Sequence, residues 1–426
     1  MTIYVVRRGD SLSAIARRYG TTVETLSYAN QLAAPDLLVP GQALVIPVES
    51  TVHVVRRGET AFRIAADYGV TLAALRSANP GIGDGSRLQP GQRLRIPLSA
   101  PRLGRVLTNG YITDAGDDTL RETLPYLSFL SPFSYRTDET GELTATYSVS
   151  TALSGENGAG NLLTLTNLRA AGGFSSAAAH AVLTDETAQE NFLDNVLALL
   201  EGGDWTGVNL DFEYVWPFDR GSYNQFLRRF AETLHRRGYL LITALAPKTS
   251  GGQQGLLYTA HDYPVHGEAA DYVIPMTYEW GYTYGPAMAV APIDKVRRVL
   301  DYAVSVIPAG KILLGVPNYG YDWTLPFVQG SAARPLSNVQ AVTLAGAVGA
   351  EIRFDETAQS PWFRYTDGQG RTHEVWFEDA RSLRAKYLLV EEYGLAGVSW
   401  WNLNRLFRTN FLVLESLFSV EKPMSN

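Results

Sequence analysis

The chain has 426 residues, of which 46% are apolar and 19% charged, so it can bury a large core, and its length suggests more than one domain. Its net charge of -7 gives it no general attraction for nucleic acid or for an anionic membrane surface. The absence of cysteine excludes disulfides and thiolate metal sites, and the spacing of its six histidines predicts no metal site. We therefore expect neither a metal ion nor a cofactor.

The N-terminal stretch enters the sequence of a folded domain almost at once. Residues 1–9 lack the basic-then-apolar order of a signal peptide. No run of about 18 apolar residues predicts a membrane-spanning helix. We therefore expect no N-terminal signal peptide and no membrane span.

The first hundred residues contain an internal repeat. Residues 5–10, Val-Val-Arg-Arg-Gly-Asp, return at 54–59 as Val-Val-Arg-Arg-Gly-Glu, and residues 40–47 match 90–97. A repeat of this period indicates one supersecondary unit present twice. In each copy a short β-branched strand precedes two capped helices, and a Pro-Gly turn leads into an alternating strand. The pattern predicts two small βααβ domains.

Both copies resemble lysin motif (LysM) domains, over residues 3–48 and 52–98. LysM domains bind glycans containing N-acetylglucosamine in a groove between the first strand–helix loop and the second helix–strand loop. Alternatively, the polar residues at these loops are only cap and turn residues. The second copy departs from the first at Ala61-Phe62, which makes its groove less certain than the first. The groove residues that the resemblance implies are Gly9, Asp10, Ser11 and Asn30 in the first copy and Gly58, Glu59, Thr60 and Asn79 in the second.

After a short linker at residues 99–102, apolar strands alternate with amphipathic helices. Near-continuous apolar runs such as residues 240–246 are typical of parallel strands buried on both faces. The pattern predicts an α/β protein with a (β/α)8 TIM barrel over residues 103–420. An open doubly wound sheet is the alternative, although no Gly-rich phosphate loop follows the first strand. The predicted strands are 106–113, 126–133, 162–167, 207–213, 240–247, 272–276, 312–319 and 397–401.

A long segment separates the seventh and eighth predicted strands. Residues 325–382 contain alternating stretches on both sides of the turn Asp367-Gly368-Gln369-Gly370, which predicts a β-hairpin. We expect a small α+β insertion here, which could form one wall of a cleft.

The fourth predicted strand carries the candidate chemistry. Side chains two apart share a face of a strand, so Asn209, Asp211 and Glu213 point the same way. Buried carboxylates are costly unless they line a site, and a barrel has its active site at the carboxyl ends of its strands. Two neighbouring carboxyls push each other's pKa values apart, so that one stays protonated near neutral pH, as a general acid requires. We therefore predict that Glu213 is a catalytic acid.

Four strand ends together resemble family 18 glycoside hydrolases, whose fold is this barrel. Residues 209–213, Asn-Leu-Asp-Phe-Glu, are similar to the end of the family's D-G-x-D-x-D-x-E signature. Residues 276–278 resemble its M-x-Y, residues 315–320 resemble its G-x-P-x-Y-G, and Trp401 falls where the family has a Trp beneath the sugar.

The resemblance implies substrate-assisted retention, in which the acetamido group of an N-acetyl sugar attacks its own anomeric carbon. Glu213 would then protonate the leaving oxygen and later deprotonate a water. Asp211 would orient the acetamido N–H, Tyr278 would donate to the acetamido carbonyl, and Trp401 would stack beneath the ring. The further residues expected to contact the substrate are Asn209, Met276, Glu279 and Tyr319.

The departures from the family pattern point to a subgroup. Thr206 and Asn209 replace two signature Asp residues, Glu279 follows Tyr278 where many relatives have Asp or Asn, and the third strand ends in Asn167 without the usual S-x-G-G. With the paired LysM domains, these features resemble spore cortex-lytic N-acetylglucosaminidases. The resemblance implies a peptidoglycan or chitin-like glycan partner and a place in the spore coat, the cortex or the cell wall. A chitinase and a non-catalytic chitinase-like glycan-binding protein remain the alternatives.

Overall fold

A computed structural model describes residues 1–34, 37–83, 88–114, 116–146, 154–155 and 157–423. Two small domains precede a parallel barrel, and a separate sheet is inserted between the last two barrel strands. No helix in these ranges has the length and apolar character needed to span a membrane.

The two N-terminal domains have the predicted βααβ order. In each, the first and last strands pair antiparallel, and the helices pack on one side. Ser11 and Thr60 begin the first helices by accepting a hydrogen bond from a backbone N–H of the first turn, which is the usual role of an N-cap. The elements are β1 (Thr2–Val5), α1 (Leu12–Tyr19), α2 (Val23–Asn30) and β2 (Ala43–Ile46), then β3 (Ser50–Val54), α3 (Ala61–Asp67), α4 (Leu72–Ala78) and β4 (Arg93–Pro97).

The eight barrel strands run parallel, and a bridge between Val273 and Ile312 closes the ring. The predicted (β/α)8 barrel is confirmed, although several strands are shorter than predicted. Apolar residues fill the layer between strands and helices, because both faces of a parallel sheet are covered. The barrel strands are β5 (Gly104–Ile112), β6 (Phe129–Pro132), β9 (Gly160–Thr166), β10 (Gly207–Asp211), β11 (Leu240–Leu245), β12 (Tyr272–Pro275), β13 (Leu313–Pro317) and β19 (Gly397–Trp401).

Helices surround the barrel, and a few short elements complete it. A hairpin of β7 (Tyr135–Thr137) and β8 (Leu143–Ala145) follows β6, and β20 (Phe418–Val420) pairs with the start of β5. The helices are α5 (Asp117–Thr123), α6 (Ser176–Thr184), α7 (Glu186–Glu201), α8 (Arg220–His235), α9 (Tyr263–Ala269), α10 (Ile293–Val306), α12 (Ala380–Tyr393) and α13 (Arg408–Leu417). Short 3-10 turns lie at Pro80–Ile82, Leu124–Tyr126, Pro217–Asp219 and Ala309–Lys311.

The insertion is a five-stranded antiparallel sheet with one helix. It begins directly after β13, earlier than predicted, and the predicted hairpin around residues 367–370 joins β17 to β18. The strand order is β15-β14-β18-β17-β16. Its elements are β14 (Gly320–Leu325), β15 (Arg334–Leu336), α11 (Asn338–Ala347), β16 (Arg353–Asp355), β17 (Ser360–Thr366) and β18 (Thr372–Trp376).

The first N-terminal domain packs tightly on the barrel and its insertion. Val39, only 3% exposed, belongs to the hydrophobic core of the insertion, where Phe363 and Phe377 also lie. Next to it, the backbone N–H of Ile352 donates to the Pro40 carbonyl over 2.9 Å. On the other side of the domain, Val45 is fully buried in the barrel core. The first N-terminal domain is therefore packed against the barrel and its insertion and is not connected to them by a linker alone.

This packing predicts unequal effects of one substitution in the two repeats. Val39→Ala removes two methyl groups from the insertion core and should lower the free energy of unfolding by about 2 kcal/mol. Gln89 occupies the matching position of the second N-terminal domain and is exposed, so Gln89→Ala should change the free energy of unfolding by less than about 0.5 kcal/mol. Denaturant titration of both variants measures the difference, and equal losses would contradict the packing.

Candidate active site

A cleft of about 540 Å³ opens at the carboxyl ends of the barrel strands. It brings most of the predicted site residues together, but Asn209 and Tyr319 are absent from its described lining. None of the described lining residues belongs to the insertion, which reaches the cleft through the hydrogen bond from the Tyr321 hydroxyl to Glu279. The lining residues are Tyr111, Phe133, Leu168, Phe174, Asp211, Glu213, Tyr214, Pro247, Leu257, Tyr258, Met276, Tyr278, Glu279, Trp280, Tyr282 and Trp401.

Glu213 is held through its backbone. Strand β10 ends at Asp211, two residues earlier than predicted, because the backbone beyond it bonds to side chains instead of to a neighbouring strand. Asn167, just past the end of β9, accepts a hydrogen bond from the Glu213 N–H over 3.0 Å and donates to the Glu213 carbonyl over 2.7 Å. These two bonds fix the backbone of Glu213, and among the described residues none donates a hydrogen bond to its carboxyl group.

His261 holds the preceding residue in the same way. Its Nδ1 accepts from the backbone N–H of Ala246 over 2.7 Å, so the proton of the neutral ring lies on Nε2, which donates to the Phe212 carbonyl over 2.9 Å. Burial lowers the pKa of His261 to about 4, which keeps the ring neutral near pH 7. The segment that carries the candidate acid is therefore fixed from two sides.

Asp211 is only 5% exposed, and its Oδ1 has no hydrogen-bond partner among the described residues. Beneath it lies Asn209, fully buried and already satisfied. The Asn209 amide donates to Ser131 over 3.0 Å and accepts from the Tyr111 hydroxyl over 3.1 Å. Asn209 is thus part of a polar layer inside the barrel, and the unpartnered oxygen of Asp211 can accept a hydrogen bond from a bound molecule.

The pKa values of the two carboxyls are raised. Burial raises the pKa of Asp211 to about 7, because it disfavours the charged form. The pKa of Glu213 is well above its ordinary value, through burial first and then through the neighbouring charges of Asp211 and Glu279. The pair therefore holds at least one proton near neutral pH, as a general acid needs.

Glu279 is the third acid of the cleft. Its carboxylate accepts from the Tyr319 hydroxyl and, over 3.0 Å, from the Tyr321 hydroxyl. Burial raises its pKa, and these two hydrogen bonds partly offset the rise because they favour the charged form. Its backbone φ of 64° lies in the left-handed region, which is uncommon for a residue with a side chain. The strained turn and the two tyrosines aim this carboxylate into the cleft.

The tryptophans divide between cleft and core. Trp401 lines the cleft, and its ring centroid lies 5.3 Å from that of Tyr111 and 4.8 Å from that of Phe133, both in T-shaped contacts. Trp280 also lines the cleft. Trp400 and Trp323 are fully or almost fully buried, and each donates its indole N–H to a protein oxygen. These last two are core residues.

The predicted LysM groove residues take part in local hydrogen bonds. Asp10 accepts from the Tyr4 hydroxyl and the Arg7 N–H, both over 2.7 Å, and Glu59 makes the matching bonds to His53 and the Arg56 N–H. The Asn30 and Asn79 side chains bond the backbone of β2 and β4, while Ser11 and Thr60 cap helices. Gly9 and Gly58 have positive φ in the adjoining turns. Their glycan contacts stay a prediction.

Asn167 and His261, which hold the Glu213 segment, were missed from the sequence. The cleft-lining residues Tyr111, Phe133, Tyr214, Tyr258 and Tyr282 were missed as well. An amide at the end of the strand that neighbours β10 was a usable signal for Asn167, since it replaces a motif position. His261 offered none, because it lies 49 residues beyond the carbonyl that it bonds. In the described ranges no group of three or more His, Asp or Glu side chains could hold a metal ion.

Replacing Asp211 by Asn should stabilise the protein above neutral pH. Its pKa is about 7 in the folded state against 3.8 for an exposed group, so wild type loses stability as pH rises from the lower toward the higher value. We expect the free energy of unfolding of Asp211→Asn to exceed that of wild type by on the order of 3 kcal/mol at about pH 8 and by much less at about pH 4. Denaturant titrations at both pH values measure this. The control is Glu139→Gln, which alters an exposed turn; a pH-independent gain for Asp211→Asn would contradict the burial argument.

Family profiles match most of the chain. Residues 165–405 match Glycosyl hydrolases family 18, and residues 4–47 and 53–97 each match the LysM domain.

Two known proteins are similar to this chain over nearly its full length, and a third is similar to part of it. The chain is 44% identical to the cortical fragment-lytic enzyme of Bacillus subtilis (strain 168), with 99% of both chains covered. The crystal structure of the spore cortex-lytic enzyme SleL of Bacillus megaterium QM B1551 superposes with a TM-score of 0.87 at 37% identity and 99% coverage of both chains. A chitinase of Chromobacterium violaceum ATCC 12472 gives a TM-score of 0.69 at 26% identity, covering 73% of this chain and 98% of the chitinase. The chain therefore belongs to glycosyl hydrolase family 18 and is a glycoside hydrolase with two LysM domains.

Proposed function

We propose that this enzyme is an N-acetylglucosaminidase that cleaves the peptidoglycan of the bacterial spore cortex. The observation that carries the proposal is the carboxyl pair of Asp211 and Glu213. Both side chains line an aromatic cleft at the carboxyl ends of the barrel strands, and the pKa of each is raised. The names of the full-length relatives, a cortical fragment-lytic enzyme and a spore cortex-lytic enzyme, support the choice of substrate.

The proposed reaction retains the anomeric configuration and uses the substrate's own acetamido oxygen as nucleophile. Glu213, protonated at the start, gives its proton to the leaving glycosidic oxygen while the acetamido oxygen bonds to the anomeric carbon. In the second step the Glu213 carboxylate takes a proton from water, and that water opens the oxazolinium-like intermediate. Glu213 loses its proton in the first step and regains one from water in the second, so the two steps together return the enzyme to its starting state.

The other cleft residues position the acetamido group and the sugar ring. The free oxygen of Asp211 accepts the acetamido N–H, and its negative charge stabilises the charge that develops on the intermediate. Tyr278 donates its hydroxyl to the acetamido carbonyl, and Trp401 stacks beneath the ring. Met276 packs against the sugar. Glu279 accepts from a sugar hydroxyl.

Two predicted contacts take an indirect form in this proposal. Tyr319 acts by holding the Glu279 carboxylate, and Asn209 acts from below the cleft by holding Tyr111. An amide at position 209 cannot share a proton with Asp211, as a carboxyl there could. We therefore propose that burial, instead of a proton shared with a deeper acid, sets the pKa of Asp211.

The N-terminal LysM region, residues 3–98, is proposed to hold the enzyme on its insoluble glycan, in the cortex or the cell wall. A bound anchor raises the local concentration of glycan at the cleft. A chitinase is the second candidate, since the similarity to the Chromobacterium violaceum chitinase covers 73% of this chain and 98% of the chitinase. A non-catalytic glycan-binding protein is disfavoured, because the acid Glu213 is retained with a raised pKa.

Glu213→Gln should abolish hydrolysis, because the amide has no proton to give, while the fold and glycan binding persist. The loss of a catalytic acid lowers kcat by about 100-fold or more. The measurement is release of reducing ends from soluble cortex fragments, with mass spectrometry of the wild-type products. N-acetylglucosamine at every new reducing end is the expected product pattern; muramic acid there, or unchanged turnover by the variant, would refute the proposal. Faster cleavage of chitin oligomers than of cortex fragments by wild type would favour the chitinase.

Asn167→Ala tests the backbone clamp on Glu213. The variant loses two hydrogen bonds that position the acid, so we expect kcat to fall at least about tenfold while KM changes little. A role in stability alone would lower the melting temperature and leave kcat per folded molecule unchanged. The control is Asn191→Ala, which removes a surface hydrogen bond to the carbonyl of Thr140, remote from the cleft lining, and should leave kcat unaltered.

A further inference from the structure

The two LysM domains differ in how their helix–strand loops are placed, although their sequences are repeats. In the first domain, residues 37–42 lie against the insertion. Val39 is buried in its core, and Arg381 donates to the Gly41 carbonyl over 3.1 Å. In the second domain the matching residues Gln89, Pro90 and Gly91 are exposed. The loop that frames one side of a LysM groove is thus covered in the first domain and open in the second.

Two matched glycines make the contrast quantitative. Gly41 and Gly91 have nearly the same φ, 84° and 86°. A Cβ atom added to Gly41 would lie 1.8 Å from the carbonyl oxygen of Ile352, whereas a Cβ atom added to Gly91 would meet nothing within 4 Å. No space for a sugar remains beside Gly41, because the insertion backbone already occupies it.

The outer faces of the last strands, β2 in the first domain and β4 in the second, differ in polarity. Leu44 and Leu94 point inward in both domains. On the opposite face Val45 is fully buried in the barrel core, while the matching Arg95 is exposed. Arg93 is exposed as well, where the first domain has Ala43. The first domain therefore carries an apolar docking face, and the second carries a basic, solvated one.

We propose that the first LysM domain is an internal docking domain that binds no glycan, and that glycan anchoring rests on the second LysM domain. The ligand is a glycan containing N-acetylglucosamine, so this inference rests on the proposed function. The groove of the second domain lies between its first strand–helix loop, residues 56–60, and residues 88–92.

The first domain keeps a mechanical role in this division. Arg18 of the first domain lies 4.9 Å from the ring centroid of Tyr68 in the second domain and donates to the Asp67 carbonyl. Tyr19 also contacts Tyr68, edge-on, at a centroid distance of 5.7 Å. The described core residues of the two LysM domains form one shared hydrophobic cluster. The open groove is thereby held at a fixed offset from the catalytic cleft.

Hydrogen exchange on the full chain tests the inference. The Glu213→Gln variant is incubated with the hexasaccharide of N-acetylglucosamine, which it binds but does not cut. With the hexasaccharide at about ten times its Kd, exchange of the amides it protects should slow about tenfold. We expect this slowing in residues 56–60, 88–92 and 211–215, and no change in residues 7–11 and 37–42.

The three regions separate failure of this inference from failure of the proposed function. Protection of residues 37–42, or none at 56–60 and 88–92, overturns the assignment of the two LysM domains. Absence of protection at residues 211–215 alone counts against the proposed function and leaves the LysM assignment standing.

A matched pair of substitutions gives a second readout. Gln42 and Gln92 each brace their loop by accepting a backbone N–H, over 3.2 Å from Val39 and 3.1 Å from Gln89. Gln92→Ala should weaken adsorption to insoluble cortex peptidoglycan about fivefold without changing kcat on soluble fragments. Gln42→Ala should lower the melting temperature and leave adsorption of the folded protein unchanged. Equal weakening of adsorption by both variants would overturn the proposal.

Discussion

The structure depends on keeping two carboxyl groups buried without a counter-charge. No ion pair in the described ranges involves Asp211 or Glu213, and the nearby buried Lys248 donates to the His261 carbonyl instead. A hydrogen bond or a cation on the Glu213 carboxylate would fix its position but also lower its pKa. The chain avoids this conflict by fixing the acid through its backbone, with Asn167 on one side and His261 on the other.

The barrel interior beneath the carboxyls serves the same constraint. Hydrogen bonds run from Asn209 to Ser131, from Ser131 to Asn109 and from Asn109 to Ser399, all among buried neutral groups. Each of these four side chains has a hydrogen-bond partner, so their burial costs little, and none of them ionises. A third carboxyl at position 209 would share a proton with Asp211, and the titrations of the two groups would then be coupled. The Asn209 amide removes that coupling, so burial sets the pKa of Asp211.

Periodicity explains which parts were predictable from sequence. Alternation within residues 207–213 predicted that Asp211 and Glu213 share a face, and both line the cleft. The apolar runs predicted the barrel, and the repeat predicted both LysM domains. The clamp by His261 was beyond such reasoning, since it joins residues distant in the chain and leaves no periodic trace. The docking of the first LysM domain did leave one, because Ala43 and Val45 replace the Arg93 and Arg95 of the second copy. A search for similarity between the copies passes over that difference.

The insertion connects the first LysM domain to the cleft, because it packs against both. The insertion holds Val39 in its core, and its strand β14 reaches the cleft from behind, where Tyr321 donates to Glu279 and Trp323 donates to the Gly285 carbonyl. A flexible tether would let an anchored glycan and the cleft sample many separations, which dilutes the gain from anchoring. A docked domain restricts them to a narrow range, and this restriction is the physical reason to retain a LysM fold whose own groove is covered.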